Sequence, residues 1–240
     1  MNDLELRLQR VLDRVELVDG AGDPAAGTMC VMSLVARLAG EGHTDNPRCA
    51  SPVVRAFAVP VNDRMPREVR RRLKPFAPRI LGTDDGLDRE RALVLRRALA
   101  EEILPRVAER HRLPSAAAPA WRGGLVGRLW SALRGGRLRR RVGRLVERVE
   151  AAGRPGDEVA LARAAGRLIA LCASHARDPR EAEWYWNAAI GLLDGLCAVG
   201  GQGRRGAPGL RAAPLTLLEA NLRPRPGAGV GSAAAPSHSS

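Results

Sequence analysis

Four residues of the types that hold metals or perform nucleophilic chemistry fall within one window of 20 residues: Cys30, His43, Asp45 and Cys49. Thiolate, imidazole and carboxylate form the zinc ligand set, and four such groups can close a tetrahedral site. The window lacks the C-x-x-C clamp of a familiar zinc finger. A second chemistry is a cysteine nucleophile activated by His43, with Asp45 orienting the imidazole. Against it, the two partners stand only two residues apart in a tight, Gly-flanked loop. The plainer reading, placed first, makes Cys30 and Cys49 small buried residues. In it, His43 closes the preceding helix and Asp45 or Asn46 opens the next. Zinc is the cofactor that the metal reading would require; otherwise none is expected.

A different chemistry is concentrated further along. From Arg110 to Arg144 there are ten arginines and no carboxylate. Arg128, Arg134, Arg137, Arg139, Arg140, Arg141 and Arg144 form its dense part, beside an apolar stripe of Leu125, Val126, Leu129, Trp130 and Leu133. Such a surface can offer guanidinium groups to phosphates, which are bound through charge without sequence readout. A basic amphipathic helix with a tryptophan on its apolar face can also lie on an anionic membrane. The alternative to both is a solvated, arginine-rich face. No helix-turn-helix or aromatic RNA-binding signature accompanies the stretch, so sequence-specific recognition is not expected.

Cys172 and His175 share one side of a helix, but they read as a core cysteine and a histidine suited to the helix C-terminus. Cys197 likewise belongs to an apolar stripe. Trp184, Tyr185 and Trp186 are consecutive and must fan around their helix, so one of them leaves the core face. Neither a phosphate-binding loop, a dinucleotide fingerprint, an H-E-x-x-H pair nor a nucleophile elbow is present.

The elements that would position these groups read as helices throughout. Residues 1–19 place Leu4, Leu8, Val11, Val15 and Val18 on one face, closed by Gly20. Asp23-Pro24 reads as a helix start running through Val31, Leu34, Val35 and Leu38 to Gly40. Prolines 47, 52, 60, 66, 75 and 78 then allow only short helices or single turns. A longer helix is expected over 87–112, capped by Thr83 to Gly86 and kinked at Pro105. Residues 113–124 read as a linker, and 125–150 as a basic helical region interrupted at Gly135-Gly136. Helices starting at Asp157 and Asp178-Pro179 complete the folded part. The chain beyond Gly201 is too poor in apolar residues to order itself, apart from a turn of helix at Pro214–Leu222. No strand alternation and no fixed-period repeat appears.

Composition agrees. Apolar residues make up 45% of the 240 and aromatics only 3%, so the core must be Leu, Val and Ala, which suits helix on helix. Lys74 is the one lysine among 39 basic residues, a bias typical of GC-rich coding, and the net charge of +13 favours anionic partners. No secretory signal opens the chain and no apolar run spans a membrane, which implies a cytoplasmic protein.

Residues 29–83 resemble a family of uncharacterised all-helical proteins from GC-rich bacteria. The motifs that carry the likeness are Met29-Cys30-Val31-Met32, then His43-x-Asp45-x-Pro47-x-Cys49, Ser51-Pro52 and Asn62-Asp63. Leu73-Lys74-Pro75-x-x-Pro78-Arg79 with Leu81-Gly82-Thr83 completes them. Ser33 stands near a position where such proteins often carry an acid. The resemblance implies an all-helical fold and supplies no function.

The expectation is therefore an all-α protein, an irregular orthogonal helical bundle in which short Pro-punctuated helices are followed by longer ones. Its first domain is 1–112, followed by the linker 113–124. A basic helix and C-terminal pair over 125–200 pack on the first part, and 201–240 is a disordered tail. The favoured function is a non-enzymatic interaction protein using the basic helical surface on an acidic partner, nucleic acid without sequence specificity or an acidic protein. The alternatives are a metal-binding or cysteine-dependent enzyme centred on Cys30, His43, Asp45 and Cys49, and a peripheral membrane protein acting through helix 125–141.

Overall fold

A computed structural model describes residues 3–111, 136–152, 156–201 and 210–222. The protein is all-α, a helical bundle with a single two-residue strand pair among the described residues. Helix α1 (Asp3–Arg14) buries Val11 and Leu12 and is shorter than its periodicity predicts. At its end Val15 and Leu17 are both buried, two residues apart. That spacing requires extended backbone, and β1 (Glu16–Leu17) pairs in parallel with β2 (Thr28–Met29).

The expected helix from Asp23 is split for a related reason. Asp23 does accept the Ala25 N–H, but the turn it caps, Pro24–Ala26, ends at Gly27, whose φ is +73°. Helix α2 (Val31–Ala39) starts afresh with Cys30 as its N-cap and ends at left-handed Gly40. Helix α3 (Pro52–Arg64) is longer than its prolines suggest. Ser51 accepts the N–H groups of Val53 and Val54, and Pro52 occupies the first turn, where no N–H is needed. Pro60 lies inside α3, buried at the contact with a later helix.

The turns of α4 (Arg67–Arg70), the 3-10 segment Arg71–Phe76 and α5 (Ala77–Ile80) bury Leu73, Phe76 and Ile80, as their pattern predicts. One long helical run follows: α6 (Asp88–Ala98), a π-helical turn (Leu99–Ile103) and α7 (Leu104–His111). The wide turn falls just before Pro105, whose missing N–H would leave a carbonyl of a regular helix unpaired.

Helix α8 (Arg137–Ala151) begins directly after Gly136. It is followed by α9 (Glu158–Ser174) and α10 (Pro179–Ala198), the latter capped by Asp178 accepting from Glu181 N–H. Helix α9 is the hub: eleven of its residues are buried, and it packs on α3, α10, α8 and α6. Helix α11 (Ala212–Asn221) lies where the one turn of helix is expected in the tail, Pro214–Leu222, and is longer than that turn. It buries Leu215 and Leu218 against α1 and α2, and Arg7 binds Glu219 at 2.8 Å. The linker 113–124, the apolar stripe within 125–135, and the tail residues 202–209 and 223–240 lie outside the described residues. No helix among the described residues is long and apolar enough to cross a membrane.

A candidate anion-binding groove

The Cys/His/Asp window resolves into separate local roles. Cys30 is buried, and its Sγ accepts the Ser33 N–H at 3.3 Å, capping α2. His43 and Asp45 are exposed. Cys49 is half-buried, and the loop around it is held by Glu41, whose carboxylate accepts the N–H groups of Arg48 (2.7 Å) and Cys49 (2.9 Å). Burial raises the Glu41 carboxyl, but these donors outweigh it and hold the group below its usual range. Burial, with the Glu41 carboxylate beside it, pushes the Cys49 thiol up to about 12, so it stays protonated at neutral pH. A thiol is a nucleophile only as thiolate. Among the described residues, no three His, Cys, Asp or Glu side chains gather closely enough to hold a metal ion.

Neither is the helix start at Ser51 capped by Asp45 or Asn46; Ser51 does this itself. Cys172 and Cys197 are buried, and burial raises each thiol to about 12. Cys172 Sγ lies 3.9 Å from His111 Nε2, while His175 turns back to the Leu171 carbonyl at 3.1 Å. Tyr185 and Trp186 enter the core, and Trp184 packs half-buried at its edge with the Arg106 guanidinium 4.1 Å over its ring.

The basic residues do gather. Between α3, α8 and α9 lies a groove of about 560 Å³. Each helix contributes a stripe at helical spacing. Helix α9 gives Val159, Arg163, Arg167 and Leu171, every fourth residue and so one face. Helix α8 gives Arg141, Arg144, Leu145 and Arg148; α3 gives Arg55, Val59, Asp63 and Arg64 among others. Seven arginines line the groove against two carboxylates, Asp45 and Asp63. Arg55 donates to the Pro47 carbonyl at 3.3 Å, which ties one wall to the loop carrying Asp45. No ion pair among the described residues engages Arg64, Arg141, Arg144, Arg148, Arg163 or Arg167.

Of the anion-binding residues expected from sequence, Arg141 and Arg144 line the groove. Arg137, Arg139 and Arg140 lie on α8 outside its lining, and Arg128 and Arg134 lie outside the described residues. Sequence reasoning missed Arg163 and Arg167. Their signal was present: two arginines four apart in an otherwise apolar run, Leu161 to Ala173. They are the exposed residues in a part of α9 where every neighbour is buried. Arg55 and Arg64 carried no such signal, since arginines punctuate the whole chain.

Clustering like charges in a concavity is unfavourable unless an anion completes it. The arrangement can hold a ligand of several negative charges, with Val159, Leu171, Leu145 and Val59 supplying apolar patches between the guanidinium groups. No family model, curated protein or solved structure matches the chain.

Proposed function

We propose that this protein is a non-enzymatic binding protein whose arginine-lined groove takes the phosphate backbone of a nucleic acid without reading its sequence. The observation that carries this reading is the convergence of seven arginines from three helices on one concavity with two carboxylates. Arginine forks match phosphate oxygens bidentately and keep their charge at any physiological pH. The overall charge of +13 would speed encounter with a polyanion from any direction. Among the described residues no aromatic side chain lines the groove and no recognition helix stands free to enter a major groove, so affinity without sequence preference is expected.

The test is binding of a mixed-sequence labelled nucleic acid, followed by fluorescence anisotropy over a range of salt. Arg141→Gln, Arg144→Gln and Arg148→Gln together should weaken binding by roughly a hundredfold or more at low salt. They should also flatten the salt dependence, by about 0.7–0.9 in log–log slope for each phosphate that is no longer neutralised. These side chains are exposed, so the variant should melt as the parent does. An unchanged affinity and slope would remove the groove from the account.

A further inference from the structure

We infer that the groove is a channel for a single nucleic-acid strand, with Arg163 and Arg167 of α9 as the residues that distinguish a strand from a duplex. This inference rests on the nucleic-acid reading above and narrows it.

Two observations point to a chain-like ligand instead of a compact one. First, the groove does not end at the meeting of α8 and α9. A second cavity of about 350 Å³ adjoins it, and the two share Leu145, Arg148, Arg163 and Arg167. The shared residues form a basic waist between the two cavities. Secondly, the far side of that waist is lined by Ala151, Ala152, Ala160 and Ala164, small residues that leave room for bulk to pass, with the Asp157 carboxylate beside them. A closed pocket would instead surround its ligand and stop.

The setting of these arginines, exposed but flanked by α3 and α8, favours a narrow strand over a duplex. Helix α9 packs against both α3 and α8, so its wet stripe lies between two flanking helices. A duplex admits one helix of about 10–12 Å into its roughly 12 Å major groove. It cannot push its own backbone between two helices into a space of about 560 Å³, the size of a small-ligand site. A single strand can, because its phosphates and bases are free to splay. Proteins that bind single strands without sequence preference combine a basic groove that follows the backbone with planar surfaces for the bases. Here no aromatic ring among the described residues lines either cavity, so the planar surfaces are the guanidinium groups, which stack on bases as well as pairing with phosphates.

The deciding experiment uses the full chain and one mixed-sequence oligonucleotide, presented single-stranded and annealed to its complement, with inorganic polyphosphate as competitor. The single strand should bind at least about tenfold more tightly than the duplex. Arg163→Gln with Arg167→Gln should abolish that preference, lowering single-strand affinity far more than duplex affinity, and Arg163→Lys with Arg167→Lys, which keeps the charge but loses the planar guanidinium, should retain only part of it. Equal or tighter duplex binding by the parent protein would overturn the channel but leave the nucleic-acid reading in place. So would single-strand affinity unaffected by the Gln pair. Polyphosphate binding that is tighter than the strand, one to one, would make the groove a small-anion site and overturn it too. Binding of neither nucleic-acid form would overturn the underlying reading itself.

Discussion

At the scale of single residues, the position most tightly determined by its surroundings is Arg91. It has no solvent exposure, and Asp85 receives it through two parallel contacts of 2.6 and 2.9 Å. Its remaining donors reach the carbonyls of Leu196 and Val199, orphaned at the C-terminus of α10. One side chain therefore ties α6 to the end of α10. Removing one partner of a buried pair leaves an uncompensated charge. Because Asp85 is partly exposed, Asp85→Asn should cost about 2–3 kcal/mol in denaturant unfolding, below the range for fully buried pairs. The hydrogen bonds from Arg91, aided by Leu87 N–H, hold the Asp85 carboxyl below its ordinary value. Stability from a depressed carboxyl is complete above the unfolded pKa and disappears as pH falls through the folded one. The parent should thus lose stability in acid more steeply than Asp85→Asn, and matching acid profiles would show that the pair contributes nothing. The same scale accounts for the cysteines: burial raises three of the four thiols to about 12, and the fourth, Cys30, accepts the Ser33 N–H at the start of α2.

At the scale of elements, the groove depends on how closely α9 approaches α3. Gly166 permits it, because a Cβ there would stand 2.5 Å from the Phe57 carbonyl oxygen and 2.9 Å from Pro60 Cγ. Neither neighbour is a flexible side-chain end, so the helices would have to part. Gly166→Ala should destabilise by about 1–3 kcal/mol and widen the groove that α3 and α9 share. Gly191 of α10 is the matched control, since nothing lies within 4 Å of an added Cβ. Gly191→Ala should stabilise by up to about 1 kcal/mol through helix propensity alone. Thermal melts of the two variants with opposite shifts would verify the close approach; equal shifts would refute it. The helix ends themselves were legible from local chemistry. Ser51-Pro52, Asp178-Pro179 and Gly40 all act where their types predict. The failures at Val15–Leu17 and at Pro60 share a cause: in each, burial against a distant element outweighs local preference.

At the scale of the whole molecule, a ligand that binds only the folded protein must stabilise it by mass action. A single-stranded oligonucleotide at about 100 times its Kd should add about 2.7 kcal/mol to unfolding. The gain should shrink, to about 1.4 kcal/mol for a tenfold loss of affinity, in Arg163→Gln with Arg167→Gln, and an undiminished gain there would locate binding elsewhere on the basic surface. By itself the sequence determined the fold class, because an apolar set of Leu, Val and Ala at helical spacing can be buried only by packing helices on helices. It also determined the sign of the chain's own charge, a net +13 that favours anions however the chain folds. What only the tertiary structure decided is which arginines act together. Arg55 and Arg64 stand roughly a hundred residues from Arg163 and Arg167, and no local pattern links them. They meet because α9 buries its apolar faces on α3 and α8 at once and leaves one stripe wet. The Cys, His and Asp residues that lie close in sequence form no comparable cluster among the described residues. Proximity along a chain fixes neither direction nor burial, and both are needed before residues share chemistry.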